Sequence, residues 1–253
     1  MYTLFTDETN AQPADDVEFF VYGGVIVPNT SLISIHKKID LLRKRAGFGG
    51  DDILKFNSRS RPDCIDEEDF ADLKRKVIDD CICRDVKFVA MFVHHGIARR
   101  KTDDEKISFG LSCVIRCFEE YLLLHDDYGT VVVDQHNKAI PIIKEKFQNG
   151  LFYQSSGTFY KPERILGYSL SCIGSSHFAS LSDLVIGSFR YCLNNPKNPE
   201  AAREMYHQIK AMKFKILQYP RTITVSRYQK RYDDLKARLC ELEVEIDFDE
   251  VPF

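Results

Sequence analysis

The chain has 253 residues, 44% hydrophobic and 29% charged, with a net charge of −3. That suffices for one sizeable core, and one domain is the expectation. No run approaches the roughly 18 apolar residues of a spanning helix, and the start lacks a leader's basic and apolar regions, which argues for a cytoplasmic protein with no membrane partner.

Residues 2–7 read as a strand that stops on two adjacent carboxylates, Asp7 and Glu8. "EFFVYGGVIVP" (18–28) is a second strand, rich in β-branched and aromatic residues and closed by Pro28. The two predict a hairpin, and Gly23-Gly24 predicts a bulge or a close backbone approach. "SLISIHKKIDLLRKRAG" (31–47) has helical apolar spacing and stops at Gly47; residues 48–65 read as loop and about 67–83 as a second helix. A buried strand, "VKFVAMFV" (86–93), follows. Beyond it, Ile107, Leu111, Val114, Ile115, Phe118 and Leu122 share one helical face, with Asp103 and Asp104 at its positive end.

"GTVVVDQHN" (129–137) is the clearest strand, since three consecutive valines predict burial on both faces; it too ends on a carboxylate, Asp134. A helix at about 139–148, a fifth strand over 163–172 and a helix over 177–193 come next, with two further helices at about 198–217 and 226–243. The order predicts an α/β fold: one mixed sheet of about five strands with helices on both faces and a helical insertion at about 31–84. Residues 196–253 are expected to form a helical extension packed on the same domain.

The eight cysteines (64, 81, 83, 113, 117, 172, 192, 240) show no zinc or redox spacing and predict free, mostly buried thiols. Charge is segregated: residues 203–238 carry ten Lys and Arg against three acids. With interleaved aromatics, as in "KFKILQYPRTITVSRYQKRY", this segment suits a phosphate-rich partner, or else forms a solvated helical face.

Asp7 and Asp134 both stand at the carboxyl end of a strand, where open α/β sheets bind their ligands, so they converge if the strands are neighbours. Each alone also reads as a turn former or a cap. Asp183 shares a helix face with Ala179, Ser180, Gly187 and Arg190, small or polar neighbours that let this face lie close to the sheet or an ion. A cluster of Asp7, Glu8, Asp134 and Asp183 would repel itself, and Mg²⁺ or Mn²⁺, which prefer carboxylate oxygen, would remove that penalty.

"LFTDETN", "FVYGGVIVP", "LKFNS", "VVVDQ" and "ILGYSLSCIGSSHFASLSDLVIGSFRY", in that order over residues 2–193, resemble the bacterial and phage family of domain of unknown function 3800. The resemblance implies a ribonuclease H-like fold and a nuclease whose acids hold divalent ions for phosphodiester hydrolysis of DNA or RNA. By position, the family's acids fall on Asp7, Glu8, Asp134 and Asp183, with Asp7, Asp134 and Asp183 as metal ligands. Lys55 follows as a phosphate contact, and Arg190 is the basic residue near the end of the late helix. Asp52 sits one residue too early for the acid of the second motif. The D-E-S-G of the family is D-E-T-N here, and its L-Q-x-A-D is reduced to "SLSD".

His136, two residues past Asp134, is a candidate proton carrier or a surface histidine. His94 and His95, adjacent on a strand, point to opposite faces and cannot readily share an ion. The contrasting expectation is a non-catalytic nucleic-acid- or protein-binding module using residues 210–238.

Overall fold

The computed structural model describes residues 1–9, 17–135, 139–153, 157–194, 198–220 and 226–242. At its centre, β1 (Tyr2–Thr9) pairs antiparallel with β2 (Phe19–Pro28) and parallel with β4 (Gly129–Asp134). β3 (Lys87–His94) continues the antiparallel meander beyond β2, and β7 (Ile165–Ser171) lies parallel beside β4. With β8 (Lys213–Tyr219) parallel to β3, the sheet runs β7-β4-β1-β2-β3-β8. Every strand but β2 therefore directs its carboxyl end to the same sheet edge. A separate two-stranded hairpin joins β5 (Leu151–Tyr153) to β6 (Thr158–Tyr160).

Two apolar layers cover the sheet, because alternate side chains of each strand point to opposite faces. On one face, α3 (Asp103–Leu124) buries Ile107, Leu111, Val114, Ile115, Phe118 and Leu122, the expected stripe, against Leu4, Tyr22 and Val131. Thr102 and Glu105 close its first turn as a reciprocal capping box. α4 (Ala139–Asn149) adds Ile142 to this layer. On the other face, α5 (His177–Asn194) lies against β1 and β2. Around it gather α1 (Leu32–Arg45), α2 (Glu67–Ile82), α6 (Pro199–Lys210) and α7 (Ser226–Glu241). The expected α/β class, a mixed sheet with helices on both faces, is what the chain forms.

Two expectations fail. The helix expected over about 198–217 ends at Lys210, and residues 213–219 form the sixth strand. Lys215 drops into the interior there because Glu120 of α3 receives its ammonium at 2.6 and 2.7 Å, a partner invisible to local periodicity. The thiols are all free, as expected, but four of them, Cys64, Cys83, Cys172 and Cys240, are exposed rather than buried.

α5 is pressed tightly onto the sheet. A Cβ at Gly23 would lie 2.4 Å from Ile186 Cδ1 and 2.7 Å from the Val89 carbonyl, so only glycine lets the helix approach. The register on both sides of Gly23-Gly24 is continuous, so the pair marks close approach and not a bulge. Ser182 Oγ donates to the Phe5 carbonyl at 3.1 Å. At the far end, the Asn194 side chain accepts from the Glu18 and Phe19 N–H groups and donates to the Phe19 carbonyl.

Candidate metal centre

β1 and β4 deliver the first acids. Phe5 faces Val132 across the parallel pair, and both pack on the α5 side. Asp7 and Asp134 each follow two residues later, so the strand period brings both carboxylates out on that face at the carboxyl edge. Glu8 belongs by alternation to the other face, yet its longer side chain returns to the same place. One carboxylate oxygen each from Asp7, Glu8 and Asp134 lies within 4.8 Å of the others. The strand runs on to Thr9, and the Glu8 carboxylate still joins the cluster.

These acids are buried to different depths, and burial is the main reason all of them hold protons more tightly than usual. Asp7 is raised well above the ordinary carboxylate range by burial, then by the charges of Asp183, Glu8 and Asp134. Glu8 is pushed up to about 7 by burial and by Asp134. Asp134 is raised by burial and Asp183, against a backbone hydrogen bond and the charge of Lys55. Beneath them Tyr22, fully buried, shares a hydrogen bond of 3.0 Å with Thr6.

Asp183 stands beside Asp7, outside the trio. Its Oδ2 accepts the Phe56 N–H at 2.5 Å. The Phe56 ring fills the space over Gly187, where a Cβ would lie 2.5 Å from a ring carbon. Lys74 of α2 donates to the Phe56 carbonyl at 3.1 Å and stands 5.3 Å from the ring centroid, while the Arg190 guanidinium lies 5.5 Å from that centroid. Burial raises Asp183; the Phe56 N–H, Lys55, Arg190 and Lys74 oppose the rise. The loop at residues 54–57 is thus strapped across α5 by its own aromatic ring and holds Asp183 in place.

Of the residues expected from sequence, Asp7, Glu8 and Asp134 come together, Asp183 adjoins them, and Lys55 and Arg190 act on Asp183 electrostatically, Lys55 on Asp134 as well. His136 lies outside the described residues. Asp52 is spent elsewhere, accepting the Gly49 N–H at 2.6 Å. His94 is packed among Phe19, Tyr228 and Tyr232. Within the basic 210–238 segment, Lys215 pairs with Glu120 and Arg231 with Glu18, so part of its charge is used inside the molecule. Lys74 and the Phe56 backbone were not anticipated. The available signal was a lysine four residues after Phe70 and next to Leu73, on the face that α2 buries.

The fit to a hard divalent cation is chemical: oxygen donors only, half-buried, with charges that raise one another's proton affinity. No protein-family model and no curated protein sequence matches the chain. Among solved structures, ribonuclease HII from Archaeoglobus fulgidus, solved in complex with PCNA, gives a TM-score of 0.42 at 10% identity, covering 94% of this chain and 89% of that one. Ribonuclease H2 from Pyrococcus horikoshii OT3 gives 0.40 at 10% identity over 93% and 99% of the two chains. Bst-RNase HIII in complex with Mn²⁺ gives 0.39 at 8% identity over 84% and 64%. At these identities and TM-scores the likeness transfers no residue role.

Proposed function

We propose that this chain is a ribonuclease H-like, divalent-metal-dependent nuclease that hydrolyses phosphodiesters of nucleic acid. The observation that carries the reading is the convergence of Asp7, Glu8 and Asp134 within 4.8 Å at the carboxyl ends of two adjacent parallel strands. The motif order shared with the family of domain of unknown function 3800 supports it, as does the sheet itself, an antiparallel β1–β3 meander with β4 and β7 added in parallel beside β1.

In this reading Asp7, Glu8 and Asp134 hold Mg²⁺ or Mn²⁺, and Asp183, fixed by the Phe56 N–H, completes the acid set from the helix side. When bound, such an ion supplies a water of lowered pKa and neutralises charge on phosphoryl oxygen. Lys55, placed among the acids, offers the counter-charge that orients an incoming phosphodiester. Arg190, stacked on Phe56, supports Asp183 and not the substrate.

The test is cleavage of single- and double-stranded DNA, RNA and hybrid substrates in Mn²⁺ by wild type and by Asp134→Asn. Wild type should cut at least one class and the variant none, with unchanged circular dichroism. Equal cutting by both would refute the assignment.

A further inference from the structure

The face of the sheet covered by α3 carries a second site of opposite character. A cleft of about 580 Å³ opens between the amino-terminal half of α3, the end of α4, the β5-β6 hairpin and the end of β8. That volume is in the range of small-molecule sites. Its aromatic lining comes in two pairs: Phe109 meets Tyr219 edge-on with centroids 4.7 Å apart, and Phe152 lies 5.1 Å from Phe159. Phe159 is 55% exposed, an unusual position for a large apolar ring.

Two buried lysines share this lining. Lys106, 7% exposed, is answered by Asp103 at 2.9 Å. Lys146 is only 5% exposed, and among the described residues no hydrogen bond or ion pair engages its ammonium. It falls one turn after Ile142 on the buried side of α4, so the helix carries its stem inward. Burial pulls it below the usual lysine value, and the acid acting on it is its exposed neighbour Glu145. Lys101 is already matched by Glu105 at 3.0 Å. A buried lysine whose ammonium is unmatched among the described residues is costly, and a ligand anion would offset that cost.

We propose that this cleft binds a small aromatic monoanion, with the Lys146 ammonium as its counter-charge and Phe109, Phe152, Phe159 and Tyr219 as walls. Flat rings on two sides favour a planar body, and Lys146, the one lysine of the lining unmatched among the described residues, favours a single negative charge. Asp7 and Asp134 face α5, so occupancy of this cleft is measurable without reference to hydrolysis.

The probes are 2-naphthoate and its neutral isostere 2-naphthamide, titrated calorimetrically into the full chain. Wild type should bind naphthoate at least tenfold more tightly than naphthamide. Lys146→Met should remove that preference, and Ser108→Trp, which fills the cleft from α3, should weaken both ligands. Equal affinity of the two probes for wild type, no binding of either, or a preference that persists in Lys146→Met would overturn the proposal. The wild-type comparison stands even if a variant fails to fold.

Discussion

Two regions of this molecule shield carboxylates from water, Glu119 fully and Asp7, Glu8 and Asp134 by half, and they treat them in opposite ways. Glu119, near the carboxyl end of α3, has no exposed surface and is surrounded by donors: the Glu163 N–H at 2.8 Å, the Arg164 N–H at 3.1 Å and the Tyr160 hydroxyl at 3.3 Å. It ties the helix to the segment that leads into β7. Asp7, Glu8 and Asp134 instead face one another, and the principal charges acting on Asp7 are other acids. A buried acid among donors is a structural strut. Half-buried acids held against each other raise one another's proton affinity, and a cation would relieve that repulsion, which is the ground for the proposed metal.

The contrast is sharpest under mutation. Asp134→Asn should lower cleavage at least ~10³-fold, about 4 kcal/mol of barrier, while its melting temperature stays level or rises because one repelling charge is gone. Glu119→Leu should do the reverse. It leaves buried N–H groups without an acceptor, so urea unfolding should show a loss of about 3 kcal/mol, with cleavage per folded molecule unchanged. If Glu119→Leu abolishes cleavage without loss of stability, the division between the two regions is wrong.

Gly187→Ala probes the strap over Asp183. The added methyl meets the Phe56 ring, so the ring must move and the N–H bond to Asp183 with it. Overpacking of this kind costs about 2 kcal/mol, and cleavage should fall roughly tenfold, about 1.4 kcal/mol. Both are readable from melting curves and initial rates.

The smallest effect is on pH. Glu8 has a folded-state pKa raised from 4.5 to about 7, so its ionisation opposes folding. The penalty is full above about 7 and is relieved as pH falls towards 4.5. Metal-free protein should therefore melt at higher temperature as pH drops through that window. Saturating Mg²⁺ should flatten the dependence, as should Glu8→Gln. A melting temperature that falls steadily on acidification from pH 7 would contradict the account.

Much of this was legible in the sequence, for identifiable reasons. β1, β2, β3 and β4 are apolar runs whose pattern is set by burial within the sheet, and the acids at the ends of β1 and β4 stand out because the apolar run stops on them. Val131 and Val133 are buried as the triplet predicted, although Val132 is only half-buried. β8 escapes local periodicity because Lys213 and Lys215 look like a solvated helix face until Glu120 is placed opposite one of them. The three-residue strands of the β5-β6 hairpin are too short to carry a period. Asp183 was visible through its small neighbours, but what fills the space over Gly187 is Phe56, 131 positions earlier in the chain. Lys74 is placed on the buried face of α2 by Phe70 and Leu73, but its partner is a backbone carbonyl, which no side-chain pattern announces.

The most direct test of the central claim is Mn²⁺ binding itself, followed by electron paramagnetic resonance on wild type and on Asp7→Asn/Asp134→Asn. Wild type should bind the ion saturably and the double variant should leave it free in solution, both proteins remaining folded. Wild type that binds no Mn²⁺, or a double variant that binds it as tightly as wild type, would contradict the account.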